Sequence, residues 1–447
     1  MGKPAEKNTI IRDVIHSDVE FDSKMTELID TKELQRLHRI KQLSCEYFVF
    51  PTATHSRFSH SIGCYHVMKL LINHFKPLLE QKGYKVEEED VNLALVSALV
   101  HDIGHGPFSH TFEKIFKIKS HEQWGIDILN YDKSEVKSKI ISNYGEEFFG
   151  KLIEIISKNF NSKNANPIFR LISTLVSSQA DADRMDYLLR DSYFTSVTNG
   201  NFDLQRLIKS FGVEEENNVL KIYINEKYMS TLEEYVLARY FMHKEVYQHS
   251  TKKQMEEIMK KIFMRASYLL LNGHEEALFA GRIMKKLLTY KFITVPEYLE
   301  LDDGSFLYHI NAWTHSDDEI LKYLSESFLN RNKFSKNMVM VKNRALLNKL
   351  NDYLAFHGKD RLQNFDGEYY CLHIDKKLEV YAPSSSENIL IKSADDSHLV
   401  DLTQKSTLIN KFSIAENETK SLDLNYISPK VFELANDLKF PENIFQE

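Results

Sequence analysis

Apolar positions recur at helical spacing over most of the chain up to about residue 360, interrupted only by short Asn- or Gly-containing stretches such as 161–166 and 199–201. Four acids, Glu87 to Asp90, stand directly before the apolar run VNLALVSALV, where they suit the positive end of a helix dipole. The pattern predicts a buried helix there, ending near Gly104, Gly106 and Pro107. Beyond Asp366 the period changes to two: Tyr370, Leu372 and Ile374 alternate with other residues, as do Leu378 with Val380 and Ile389 with Ile391. The stretch from Pro383 to Ser386 reads as a turn between two such strands. The expected fold class is mainly α: a large helical unit over residues 1–360, then a small α+β region over 361–447.

Composition narrows the function classes. A length of 447 residues accommodates one large domain with an appended one. Hydrophobic residues make up 43% and charged residues 27%, the balance of a globular protein, and no apolar stretch approaches the roughly 20 residues of a membrane helix. The opening MGKPAEKNT has no apolar signal region, and Glu6 stands where a myristoylation motif wants Ser or Thr; a cytoplasmic protein is expected. A net charge of -7 gives no global attraction to nucleic acid or to anionic membrane. Cys45, Cys64 and Cys371 lack the spacing of a zinc ribbon, so any metal should use nitrogen and oxygen ligands.

Eight of the 18 histidines fall between His55 and His121, and that clustering points to chemistry. The densest element, HDIGHGPFSH at 101–110, sets an imidazole beside a carboxylate at the end of an apolar helix. Buried charge there needs a partner or a metal. His and Asp donors together suit iron, manganese, zinc, cobalt or nickel, without choosing among them. Upstream, SRFSHS places Arg57 three residues before His60. Downstream, QADADRMDYLLRDS places Asp183, Tyr187 and Arg190 on one helical face, opposite Met185, Leu188 and Leu189.

These motifs, SRFSH, HDIGHGPFSH, SHEQ and DADRMDYLLRD, resemble the HD phosphohydrolase superfamily, and within it the deoxynucleoside triphosphate triphosphohydrolase branch. The resemblance runs from about Asp13 to Ser250, with an HD core at about 50–200. It implies metal ligation by His60, His101, Asp102 and Asp183. It also implies hydrolysis of a deoxynucleoside triphosphate to deoxynucleoside and inorganic triphosphate, by water attack on the α-phosphorus. His110 is then the general acid for the sugar 5′ oxygen, with Glu113 orienting it, and His105 and His121 match family histidines at the phosphates. Arg57, Arg184 and Arg239 offer counter-charges, Arg184 standing where the mammalian member has Lys. Gln42 and Leu43, with Lys41 before them, match positions around the deoxyribose together with Tyr187 and Asp191, Tyr187 being the expected steric gate against a ribose hydroxyl. Arg239, His243 and Tyr247 lie at i, i+4 and i+8 and match a family stripe toward the distal phosphates and base.

Family members commonly form tetramers, some switched on by a nucleotide bound between subunits; a homo-oligomer, tetramer or dimer, is therefore expected. The matching activator positions are Asp30, Gln35, His38 and Arg206, with His38 where the mammalian member has Arg. Magnesium is expected with the triphosphate, in addition to the resident transition metal. Two other readings use the same residues: an HD phosphohydrolase for another phosphorylated nucleotide or a nucleic-acid end, or a nucleotide sensor with little turnover. The set Gln42, Arg57, Tyr187, Asp191 and Tyr247 favours the triphosphohydrolase, because a metal ion alone does not require it.

Overall fold

The computed structural model describes residues 8–158, 166–331, 340–341, 352, 367–376, 388–393, 398–411 and 422–430. The described chain opens with a hairpin in which β1 (Thr9–Asp13) pairs antiparallel with β2 (Ser17–Phe21), Thr9 opposite Phe21 and Asp13 opposite Ser17. Val19 and Phe21 anchor it in the core, both fully buried. Helices dominate from Ser23 to Leu329, and the mainly α class expected from the sequence holds.

The helix Arg57–Gln81 starts at Ser56, whose hydroxyl accepts from the Ser59 N–H. It packs against both Glu88–Val100 and Ala182–Thr195. Glu88–Val100 begins with a reciprocal capping box between Glu87 and Asp90, and every residue from Leu93 to Val100 is buried. From Leu93 on the helix is enclosed on all sides, which explains why its run there is apolar apart from Ser97. Regular helix stops at Val100 rather than near Gly104, and residues 101–104 turn. Gly104 is needed for close approach: a Cβ there would stand 2.0 Å from the His121 carbonyl oxygen at the start of the helix His121–Asn130.

Two hairpins lie inside the stretch read as helical. Besides β1–β2, β3 (Phe211–Glu216) pairs with β4 (Val219–Asn225) across Asn217 and Asn218, both left-handed at φ 54° and 61°. An Asn-Asn pair tolerates those angles, and Leu220 and Ile224 on alternate positions of β4 are buried. Helical periodicity on both sides masks so short a signal.

In the C-terminal part, Leu372 and Ile374 of β6 (Cys371–Lys376) are buried, as are Ile389 and Ile391 around β7 (Leu390–Lys392). The expected alternation at Leu378 and Val380 and the turn at 383–386 lie outside the described residues. β7 joins the earlier hairpin, running parallel to β4 with Tyr223 opposite Leu390, and β8 (Val400–Asp401) completes a sheet of order β3-β4-β7-β8. A second sheet has the order β5-β9-β6, with β5 at Met340–Val341 and β9 at Leu422–Ile427, and its β6 lies against the long helix Ser250–Leu271.

Candidate active site

Three helical segments bring the expected ligands together. His60 comes from the first full turn of Arg57–Gln81, His101 and Asp102 from the turn after Val100, and Asp183 from the first turn of Ala182–Thr195. His60 Nε2 stands 3.0 Å from Asp183 Oδ1 and 3.7 Å from Asp102 Oδ2. His101 Nε2 stands 3.4 Å from Asp102 Oδ1 and 3.6 Å from Asp183 Oδ1. Donors at such separations suit neighbouring positions around an ion with bonds of about 2.1 Å.

The rings are pre-set for that role. His101 donates Nδ1–H to the Ala98 carbonyl at 2.9 Å, which turns the lone pair of Nε2 into the cluster; Nε2 is buried and has no hydrogen-bond partner. His60 uses Nδ1 on Asp186 Oδ2 at 2.8 Å, which likewise leaves Nε2 facing Asp102 and Asp183. An orphaned imidazole nitrogen amid carboxylates fits a divalent ion. Cys64 Sγ lies 3.5 Å from the His60 ring, but burial pushes its thiol pKa up, so it stays protonated.

Arg57 donates through Nη1 to Asp102 Oδ2 and through Nε to Ser109 Oγ at 2.8 Å. Beyond it the backbone is strained: Phe108 and Ser109 both have φ near +50°, held where the Phe108 N–H donates to Asp303 Oδ1 at 2.8 Å. That kink starts the helix His110–Phe116 and aims His110 outward, with its side chain 63% exposed. His105 lies behind it, fully enclosed; burial and the Arg57 charge hold its pKa well below the ordinary value, so the ring is neutral. Glu113 sits between two histidines, 2.7 Å from His121 Nδ1 and 3.7 Å from His110 Nδ1. Its stronger bond goes to His121, and despite the cost of burial both histidines keep it ionised.

A cleft of about 530 Å³ opens over this cluster. Gln42, Leu43, Arg57, Tyr187, Asp191, His243 and Tyr247 all line it. The Asp191 carboxylate accepts from Tyr247 Oη at 2.8 Å on one oxygen and meets His55 Nε2 at 2.8 Å on the other, so its orientation is fixed. Tyr187 packs edge-on to Tyr247, with ring centroids 6.2 Å apart. His243 and Tyr247 fall on a π turn, His243–Tyr247, that continues the helix Met229–Met242. Burial, then the charges of Arg239 and Arg184, bring the His243 pKa down to about 4.

Arg184 and Arg239 do not line the cleft. Arg184 Nε donates to the Ser178 carbonyl at 2.6 Å and Arg239 Nη1 to Gln179 Oε1 at 2.6 Å, one layer back. Arg190, grouped by spacing with Asp183 and Tyr187, turns into the protein instead. Among the described residues, the cations that face the cleft besides Arg57 are Lys114, Lys252 and Lys253, which sequence reasoning missed because lysines on a charged helix face carry no distinguishing pattern. Of the activator positions, Asp30 and His38 are exposed, His38 stacking on Phe58 at 3.7 Å; Gln35 donates to the Ile29 carbonyl and Arg206 to Thr231 Oγ1.

This helical frame, with an H…HD…D cluster at the meeting of its central helices, defines an HD-type hydrolase site. The HD domain model matches residues 57–190 and the HD-associated region model residues 202–285. An uncharacterized Bacillus subtilis protein, YwfO, is 35% identical over 345 residues, spanning 74% of this chain and 72% of its own. The chain belongs to the HD-domain family of phosphohydrolases. The human deoxynucleoside triphosphate triphosphohydrolase SAMHD1 is 29% identical over 70% of this chain, a match that spans 53% of the human protein. Among solved structures, a Bacteroides thetaiotaomicron phosphohydrolase superposes with a TM-score of 0.74 at 25% identity, covering 94% of this chain and 99% of that one. No helix among the described residues is long and apolar enough to cross a membrane.

Proposed function

We propose that this chain is a metal-dependent deoxynucleoside triphosphate triphosphohydrolase, releasing deoxynucleoside and inorganic triphosphate. The observation that carries the reading is a single cleft lined by Asp102 and Asp183, which cluster with His60 and His101, and also by Arg57, the histidines His105, His110 and His121, and a polar set suited to a deoxyribose. A divalent ion bound there supplies Lewis acidity, lowering the pKa of a water and offsetting phosphate charge. The nitrogen-and-oxygen donor set suits iron, manganese, zinc, cobalt and nickel alike.

The chain's own residues do the rest. Arg57, tied to Asp102 and Ser109, presents a fixed positive charge to the α-phosphate. Water adds to phosphorus as the bond to the 5′ oxygen breaks; His110, exposed to the cleft with Glu113 3.7 Å away, gives that oxygen its proton and is recharged by the proton the attacking water releases. His105 and the Glu113-bound His121 line the same wall, beside the place the phosphates would take. Lys114 and Lys253 stand on the same wall for the remaining charge. At the other end, Asp191 keeps spare lone pairs for a 3′-hydroxyl, Gln42 has a buried amide oxygen without a partner, and Tyr187 closes the space a 2′-hydroxyl needs.

The test is product analysis. The purified protein is incubated with each deoxynucleoside triphosphate, singly and mixed, with manganese or magnesium, and Asp183→Ala serves as control. Deoxynucleoside plus triphosphate, absent with the variant, is the expected result. Monophosphate plus pyrophosphate overturns the proposed bond cleavage, and no turnover of any mixture overturns the substrate.

A further inference from the structure

We infer that the N-terminal hairpin is part of the metal centre, and that His16 at its turn is a positioning residue for the ligand His60. The inference rests on the metal site alone and stands whichever phosphorylated substrate the cleft takes.

His16 Nε2 lies 2.7 Å from Asp186 Oδ1, and the other oxygen of the same carboxylate lies 2.8 Å from His60 Nδ1. One carboxylate therefore bridges two imidazoles that are distant in sequence. Asp186 is gripped from a third side by Arg190, whose Nε reaches Oδ2 at 2.8 Å and Nη2 reaches Oδ1 at 2.9 Å. Arg190 in turn holds Asp13, at 2.7 Å through Nη1. Asp13 closes the circuit onto the hairpin by accepting the N–H groups of Ile15 and His16 at 2.9 and 3.0 Å. The His16 and Asp186 side chains are 3% and 0% exposed, so solvent does not substitute for any member.

Two further observations show that the protein is shaped around this relay. The His16 ring is fixed from behind by His66, stacked at 4.8 Å. Gly63, one turn along from His60, makes the room: a Cβ there would stand 1.8 Å from Asp186 Oδ1 and 2.4 Å from Arg190 Nη2. Asp186 can keep His60 in one tautomer only while its own rotamer is fixed, and His16 occupies the oxygen that His60 does not. A direct outer partner of a metal ligand, as Asp186 is of His60, typically carries 10- to 100-fold in metal affinity, and His16 acts on that share through Asp186.

The experiment measures manganese affinity of the full chain by chelator competition, with the melting temperature of each metal-free variant alongside. His16→Phe keeps a stacking ring but loses the nitrogen, and is expected to weaken manganese binding at least tenfold. His16→Gln restores a donor near Nε2 and should stay within about threefold of the parent, whereas the shorter amide of His16→Asn should not. If the Phe variant fails to fold, the Gln and Asn pair decides. Equal affinities across the variants, or losses that merely follow the metal-free melting temperature, overturn the inference.

Discussion

His105 lies flat against His121, with ring centroids 3.9 Å apart and planes inclined by only 13°. Burial and Arg57 keep His105 uncharged, so the stack sets a neutral imidazole against one held by Glu113. Neither ring is free to turn, and the exposed His110 is left to move a proton. We expect His110→Ala to lower kcat about 100- to 10,000-fold with little change in KM. Glu113→Gln should cost less, because Glu113 binds His121 more closely than His110. Steady-state rates on the preferred substrate decide; a kcat within threefold of the parent for His110→Ala assigns the acid elsewhere.

Tyr187 stands between His60 and Tyr247, with ring centroids 6.4 and 6.2 Å away. A ring so confined cannot retreat from an added hydroxyl. The parent should prefer deoxynucleotides over ribonucleotides by about ten- to 200-fold, and Tyr187→Ala should erase most of that ratio. Paired kcat/KM values for dATP and ATP provide the check, and an unchanged ratio in the variant removes Tyr187 as the gate.

Two of the four proposed ligands, His60 and Asp183, sit on helices and the other two, His101 and Asp102, directly follow one; these helices have their own apolar packing, so removing metal should leave the secondary structure in place. Chelation is expected to abolish turnover, leave far-ultraviolet circular dichroism unchanged, and lower the melting temperature by roughly 5 °C through lost binding free energy. A collapse of the dichroism signal would mean that the ion organises the fold itself.

Glu46 carries a pH dependence of its own. Its carboxyl is buried, lies near Glu256 and has one oxygen without a partner; burial raises its pKa to about 8, although Lys252 stands 3.2 Å away. Between about pH 4.5 and 8 the folded chain holds a proton here that the unfolded chain has released, so stability falls as pH rises across that window. Glu46→Gln should therefore raise the melting temperature more at pH 8 than at pH 5. An equal effect at the two values would show that Lys252 keeps the carboxylate ionised.

Much of the site was legible because its chemistry is local in sequence. His101, Asp102, His105 and His110 fall within ten residues, and the strained Phe108–Ser109 step lies inside the same motif. The backing of His60 was only half visible: Asp186 and Arg190 come after Asp183 at helical spacing, but no pattern connects His16 to a residue 170 positions away. Nor does sequence say which arginines face a cleft, since Arg184 and Arg239 differ from Arg57 only in where their helices turn them. The β3–β4 hairpin was missed for a different reason: one Asn-Asn turn is a small signal inside a long helical background.

The parallel pairing of β4 with β7 has a consequence during synthesis. About 165 residues separate the end of β4 from its partner at Leu390–Lys392. At roughly 5–20 residues per second, the β4 edge leaves the ribosome some 8 to 30 s before the strand that covers it exists. A nascent chain arrested in that interval exposes an open edge beside a nearly complete helical body. Folding chaperones or a temporary partner would have their strongest hold on this protein then, and synonymous changes that slow translation between those points should lower its soluble yield.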